Sequence, residues 1–159
     1  MVEEGIIRGI HHTSFTTQNF EGMLHFYRDL LGLEEIFRNE LIQSEILDYI
    51  SGIQNTTLKN VMLRAGNMII EIFQYISPEG KAGNPNRPAN DVGLTHVCFD
   101  VVNIFPIYNR LKAAGVEFNC EPQNFKDRVW STYGRDPDGN LFELQEIIDP
   151  SHPAMLKWD

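Results

Sequence analysis

The fold of this chain can be predicted from the stretch DPDGNLFE, residues 136–143, and from its earlier counterpart GNMIIE, residues 66–71. In the later stretch the proline presets one backbone angle and the glycine permits a positive one, so residues 136–139 are predicted to form a turn between two strands. In both stretches a Gly-Asn pair leads into an apolar strand that carries a glutamate, Glu71 in the first and Glu143 in the second. Two such strands in one chain indicate an internal repeat.

The repeat extends upstream to one histidine in each half. His12 opens the segment HTSFTT, and His96 opens the similar segment HVCFDV. His12 stands 20 residues before Gly32 and His96 stands 19 residues before Gly115, so the two halves keep register. An amphipathic helical run lies between each histidine and its glycine. A repeat of this length is predicted to be one supersecondary unit made twice, each copy needing the other to bury its apolar face.

These patterns predict a single α+β domain over residues 1–159 in which a strand, a helix and three strands occur twice. Module one is predicted to span residues 6–76 and module two residues 92–148, with an exposed connector over 77–91 and an irregular tail over 149–159 that could dock Trp158. The predicted strands are 6–17, 34–40, 58–65 and 68–76 in module one, and a strand at His96 followed by 116–120, 128–134 and 140–148 in module two. The predicted helices are capped by Asn19 and Asn103 and end at Gly32 and Gly115.

The composition excludes several classes of function. The net charge is −9 and the basic residues do not form a run that could follow a phosphate backbone, so nucleic acid is not an expected partner. The acidic start does not match a secretory signal, and no apolar stretch approaches the roughly 20 residues of a membrane span. We therefore expect a cytoplasmic protein with no membrane partner. Cys98 and Cys120 are too few for a disulfide framework, so both are expected to be thiols.

The repeat-equivalent histidines and glutamates indicate a metal site. Apolar neighbours flank Glu71, and an isolated carboxylate would be costly to bury among them, so it should be protonated, paired or metal-bound. His12, Glu71, His96 and Glu143 offer imidazole and carboxylate donors that suit Zn, Ni, Co, Mn or Fe(II). Four such ligands leave two positions of an octahedral ion for water or substrate. The alternative is that all four are half-buried polar residues at strand ends.

His11 competes with His12 for the role of ligand. Neighbours on a strand face opposite sides, so only one of the two histidines is expected to face the site. The match to the second half selects His12 and leaves His11 as a structural or surface residue. Cys98, two residues after His96, is predicted to point the same way as His96 and to act as a small hydrophobic side chain.

The motifs of this chain resemble those of the vicinal-oxygen-chelate superfamily, which includes glyoxalase I, methylmalonyl-CoA epimerase, extradiol dioxygenases, and fosfomycin and bleomycin resistance proteins. The resemblance covers nearly the whole chain and rests on IHH at 10–12, FYRDLLGL at 26–33, GVEF at 115–118 and DPDGNLFE at 136–143. It implies two βαβββ modules that form an open curved mixed sheet around a metal site. It also implies a homodimer that acts on a small-molecule substrate.

The resemblance to glyoxalase I implies His12, Glu71, His96 and Glu143 as metal ligands, in a lyase or isomerase that moves a proton next to a metal-chelated carbonyl. Glu143 is the first candidate for the base and Glu71 the second. An extradiol-type dioxygenase is an alternative. Such enzymes use an additional acid/base histidine before the second ligand histidine, and the segment 77–95 contains no histidine. Tyr133 is the only residue that resembles a part of that site. A metal-free small-molecule (antibiotic) binding protein is the other alternative.

Module one carries an insertion relative to module two. From Gly32 to Glu71 the distance is 39 residues, whereas from Gly115 to Glu143 it is 28, and the 11 extra residues fall around 41–57. The apolar pattern of this insertion suggests a short amphipathic segment. It is predicted to be either a lid over the site or a surface helix that packs on the sheet.

Overall fold

Module one forms a four-stranded mixed sheet in the computed structural model, which describes residues 5–157. The first strand pairs in parallel with the last, and the two middle strands complete the sheet in antiparallel pairing, in the order β1-β4-β3-β2. The strands are β1 (His12–Thr16), β2 (Glu34–Gln43), β3 (Thr57–Ala65) and β4 (Met68–Ser77).

Module two repeats this topology. Its sheet has the order β5-β8-β7-β6, again with the first strand parallel to the last. The strands are β5 (His96–Asp100), β6 (Gln123–Phe125), β7 (Val129–Arg135) and β8 (Leu141–Ile147). The predicted α+β class with two βαβββ modules is confirmed, and in the described residues the strands bond into these two open sheets.

The chain divides into two compact units that nearly coincide with the modules. Unit one contains the residues through Arg28 together with Gly32–Lys81, and unit two contains Asp29–Leu31 and the chain from Ala82 onward. Each unit has its own apolar core. Fully buried side chains include Met23, Phe26, Val61, Ile70 and Ile72 in unit one and Ile104, Leu111, Phe142 and Leu144 in unit two. Trp158, which we expected to dock, lies outside the described residues.

The first helical segment begins and ends as the sequence predicts. α1 (Phe20–Leu24) continues directly as a π-helix (His25–Leu30). The side chain of Asn19 accepts a hydrogen bond from the backbone N–H of Gly22 at 3.2 Å, as an N-cap does. Gly32 adopts a φ of +79°, the left-handed conformation that ends many helices.

The helix of module two, α3 (Ile104–Ala113), does not use the predicted cap. Asn103 has a φ of +60° and its side chain makes no capping hydrogen bond, so this prediction was wrong. The carboxylate of Glu146, on β8, instead accepts from the backbone N–H groups of Asn103 at 2.8 Å and Ile104 at 3.0 Å. A negative charge from a neighbouring strand therefore satisfies these helix-terminal donors.

Two predicted strands differ from the observed ones. The strand predicted over 6–17 forms only from His12 to Thr16, because its partner β4 begins at Met68 and leaves little backbone to pair with further upstream. The segment predicted as a strand over 116–120 makes only a single bridge, between Phe118 and Gly134, before the chain continues to the short edge strand β6.

The insertion of module one contains a short helix, α2 (Glu45–Ser51), whose Ser44 side chain accepts from the N–H of Leu47. No residue of α2 is buried, and its apolar side chains Ile46, Tyr49 and Ile50 are 71%, 87% and 79% exposed. The segment is thus a helix at the protein surface, with these three apolar side chains largely in solvent. Whether the segment acts as a lid stays a prediction.

In the part of the chain that the structure describes, no helix has both the length and the apolar character that crossing a membrane requires. Cys98 and Cys120 are both free thiols, as predicted.

Candidate metal centre

In unit one, the parallel register of β1 and β4 brings a histidine next to a buried glutamate. His12 Nε2 lies 3.5 Å from Oε2 of Glu71. Glu71 is buried, with 4% of its surface exposed. Ser14, two residues after His12 and opposite Glu71 in the register, donates its hydroxyl to Oε2 at 3.0 Å. Asn60 on β3 donates its amide to Oε1 at 2.7 Å, and Asn39 on β2 donates to the oxygen of Asn60 at 2.8 Å. Both oxygens of Glu71 are thus held by neutral donors.

Unit two contains the equivalent pair. His96 Nε2 lies 3.1 Å from Oε2 of the buried Glu143. The hydroxyl of Ser131 and the amide of Gln145 at 3.3 Å both donate to the other oxygen, Oε1. The ring of Tyr133, which is the register partner of Glu143, lies 4.8 Å from the ring of His96. Ser131 and Gln145 therefore hold Glu143 through the same oxygen, and the other oxygen faces His96.

The groups around Glu143 have perturbed acidities. Burial, and then the charge of Glu143, raise the pKa of Cys98 to about 12, and Cys98 also hydrogen-bonds to Glu143. Burial, again followed by the charge of Glu143, raises the pKa of Tyr133. Because both side chains stay protonated at neutral pH, each can act as a neutral neighbour of the carboxylate.

Sequence reasoning missed two of the side chains that hold the glutamates, Asn60 and Ser131. Asn60 and Ser131 occupy equivalent places, since each lies two residues before the strand partner of its glutamate, Met62 in module one and Tyr133 in module two. The signal that could have found them is strand alternation applied to β3 and β7 in the repeat register. The strand partners of the two glutamates differ in chemistry: module one has the apolar Met62, whereas module two has Tyr133, which carries a hydroxyl.

The expectation that His11 and His12 face opposite sides was wrong. Their Nδ1 atoms lie 2.8 Å apart and their rings meet edge to face, with centroids 5.1 Å apart. The strand alternation does not apply because β1 begins only at His12. In module two, by contrast, Nδ1 of His96 is buried and has no hydrogen-bond partner in the described part of the chain.

The donor set of each unit fits a divalent metal ion. Two ligands bonded to one ion at about 2.0–2.2 Å, at angles of about 90–110°, lie about 2.8–3.5 Å apart, and the N–O separations of 3.5 Å and 3.1 Å agree with this range. Each unit brings together one imidazole and one carboxylate. Among residues 5–157 there is no group of three or more His, Cys, Asp and Glu side chains arranged to hold a metal ion. Each unit by itself therefore supplies half of the predicted set of four.

Comparisons with solved structures identify similar folds. A glyoxalase family protein from Bacillus cereus matches with a TM-score of 0.83 and 22% identity, covering 94% of this chain and 99% of the other. Lactoylglutathione lyase from Agrobacterium tumefaciens matches with a TM-score of 0.56 and 23% identity, covering 88% of this chain and 94% of the other. Fosfomycin resistance protein FosX from Mesorhizobium loti matches with a TM-score of 0.59 and 17% identity, covering 87% and 91%. At these identities the likeness shows the fold.

A comparison with curated protein sequences finds no significant match. A family model, in contrast, matches residues 9–144, a range that includes both His–Glu pairs and nearly all of both sheets. The chain belongs to the Glyoxalase/Bleomycin resistance protein/Dioxygenase superfamily.

Proposed function

We propose that the protein is a divalent-metal-dependent lyase or isomerase of glyoxalase I or methylmalonyl-CoA epimerase type, which moves a proton next to a metal-chelated carbonyl. The proposed ligands are His12, Glu71, His96 and Glu143. One observation carries the proposal: each module pairs a histidine with a buried glutamate at repeat-equivalent places, at separations of 3.5 Å and 3.1 Å. Two copies of a repeat that had no common use for the pair would not need to keep both of its partners in each copy.

A bound divalent ion would supply a Lewis acid that polarises the substrate carbonyl and lowers the barrier to losing the adjacent proton. The protein itself must then take that proton and return it. A carboxylate within hydrogen-bond reach of the proton is suited to this role.

Glu143 is the better candidate for the base. Glu71 is fixed through both oxygens, by Asn60 on Oε1 and by Ser14 on Oε2. In Glu143 the donors Ser131 and Gln145 both bind Oε1, whereas Oε2 faces His96 at 3.1 Å. A carboxylate anchored through one oxygen can present the other to a substrate proton without losing its position.

The experiment that tests this function is solvent exchange. The purified protein, loaded with Zn²⁺, Ni²⁺, Co²⁺ or Mn²⁺ in turn, is incubated in D₂O with a panel of 2-oxo compounds, hemithioacetals and acyl thioesters, and deuterium at the carbon next to the carbonyl is followed by NMR. We expect exchange that requires both metal and Glu143. Exchange that survives removal of the metal by EDTA, or no exchange with any member of the panel, would contradict the proposal.

The runner-up function is an extradiol-type dioxygenase, and the observation that favours it is Tyr133, which packs beside His96 and faces Glu143 in the strand register. Oxygen uptake with Fe(II) and a catechol would identify it. A metal-free binding protein would instead show the same melting temperature before and after EDTA. A homodimer in the cytoplasm remains part of the proposal, and light scattering measures the oligomeric state.

A further inference from the structure

We infer that His11 is a positioning residue for His12: its Nδ1 accepts the Nδ1 proton of His12 and so directs the Nε2 lone pair of His12 at the metal. The inference rests on the proposed metal site, because it concerns how one ligand of that site is held. It gives a specific role to a residue that the repeat pattern left as a structural or surface residue.

The contact itself requires one shared proton. Two imidazole nitrogens 2.8 Å apart repel if both carry lone pairs or both carry protons, so one Nδ1 must donate and the other accept. The position of His11 is set by its backbone, since its carbonyl accepts from the N–H of Ile69 at 3.2 Å. His11 is thereby fixed to the sheet beside the histidine that faces Glu71.

The far side of His12 decides which nitrogen donates. Nε2 of His12 faces Oε2 of Glu71 at 3.5 Å. Without a cation between them, the negative charge of Glu71 favours the tautomer of His12 with its proton on Nε2, so that His11 would donate to His12. With a cation bound to Nε2, the lone pair is needed there, so the proton of His12 sits on Nδ1 and His11 must accept it.

Metal binding is therefore coupled to a change of tautomer in both rings. His12 changes from the Nε2–H to the Nδ1–H form, and His11 changes from the Nδ1–H to the Nε2–H form. Each ring keeps one proton throughout, so the step neither releases nor consumes a proton. Partners of this kind fix the ring orientation and the tautomer of a metal-binding histidine, and removing them commonly costs about 10–100-fold in metal affinity.

Module two provides the internal comparison. Thr95 stands where module one has His11, and Nδ1 of the buried His96 has no hydrogen-bond partner in the described residues. The support is thus specific to the first half, and Thr95 is the matched control position.

Two measurements on the full chain test the inference. The first is the Zn²⁺ dissociation constant from competition with a chromophoric chelator, for the wild type, His11→Phe, His11→Asn and Thr95→Ala. His11→Phe removes the acceptor, and we expect Zn²⁺ binding to weaken by about 10-fold or more. His11→Asn restores an oxygen acceptor near the same place and should recover most of the affinity, while Thr95→Ala should match the wild type. Thermal melts of the metal-free variants check folding.

The second measurement is the tautomer of His12, read from the ¹⁵N shifts and long-range ¹H–¹⁵N couplings of the imidazoles. We expect a proton on Nε2 in the metal-free protein and on Nδ1 after Zn²⁺ is added. Equal affinities for the wild type and His11→Phe, or an Nε2 proton that persists with Zn²⁺ bound, would overturn the role of His11 alone. A wild-type protein that binds no Zn²⁺ would overturn the metal site and this inference together.

Discussion

At the scale of single residues, the two buried glutamates differ in how they are held. Glu71 sits in a network of neutral donors that reaches back through Asn60 to Asn39, and both of its oxygens are occupied. Glu143 is anchored mainly through Oε1, close to the protonated side chains of Cys98 and Tyr133. The first arrangement suits a fixed ligand, and the second suits a ligand that also moves a proton.

Exchange of each glutamate for glutamine separates these roles. Glu143→Gln should still bind metal through its amide oxygen but should lower solvent deuterium exchange by about 100-fold or more, because the amide cannot accept the substrate proton. Glu71→Gln should be milder, within about 10-fold, because the amide oxygen can still accept from Asn60 or Ser14. NMR measures the exchange rate and chelator competition measures the metal affinity. A larger loss of deuterium exchange in Glu71→Gln than in Glu143→Gln would instead identify Glu71, in module one, as the base.

The donor Asn60 should matter for stability even without metal. Asn60→Ala leaves Oε1 of Glu71 without its donor in a buried place, and an unsatisfied buried polar group costs about 1–3 kcal/mol. Urea unfolding in EDTA should show a loss of that size in the free energy of unfolding. Asn109→Ala, an exposed position on α3, is the control and should stay within about 0.5 kcal/mol. Equal stability of the two variants would mean that water replaces the Asn60 amide.

At the scale of elements, the sequence predicted those helix ends and strands that are determined by residues close together in the chain. Neighbouring residues alone were enough to predict three features: the cap at Asn19, the positive φ of Gly32 and Gly115, and the β3–β4 pair. They were not enough for the cap of α3, because its acceptor, Glu146, comes from a strand 42 residues later. For the same reason the sequence identified the four candidate ligands but not Asn60 and Ser131, the donors that hold the two glutamates from neighbouring strands of each sheet.

The element with the least support from its surroundings is α2. It has no buried residue, yet it presents Ile46, Tyr49 and Ile50 on successive turns, and Asp48 anchors its end by accepting from the N–H groups of Asn55 and Thr56. An ordered helix that leaves its apolar side chains in water is suited to covering a ligand.

Shortening residues 41–57 to the length of the corresponding loop of module two tests the lid. We expect Zn²⁺ affinity to stay within about 3-fold while turnover falls by about 10-fold, because closure excludes water from the reacting carbon. The triple variant Ile46→Ser, Tyr49→Ser, Ile50→Ser keeps the length and removes the apolar side chains, so it should raise KM more than it lowers kcat. Full activity in the shortened protein would show that the segment has no part in the reaction.

At the scale of the whole molecule, one βαβββ plan is used twice, and each copy carries half of the proposed ligand set. The repeat register was the strongest signal in the sequence, since it selected His12 over His11 and paired each histidine with its glutamate. The proposal requires that both pairs bind the same ion, whether the pairs come from one chain or from two copies. Neither module alone supplies the four ligands.

The most direct test of this claim is the affinity and stoichiometry of Zn²⁺ binding in four single variants, His12→Ala, Glu71→Ala, His96→Ala and Glu143→Ala, with His152→Ala as a control outside both pairs. We expect the wild type and the control to bind one ion per pair of modules, and each of the four variants to lose affinity by about 100-fold or more. Loss of binding in only one of the two pairs, or two independent ions per chain, would contradict a single centre built from both modules.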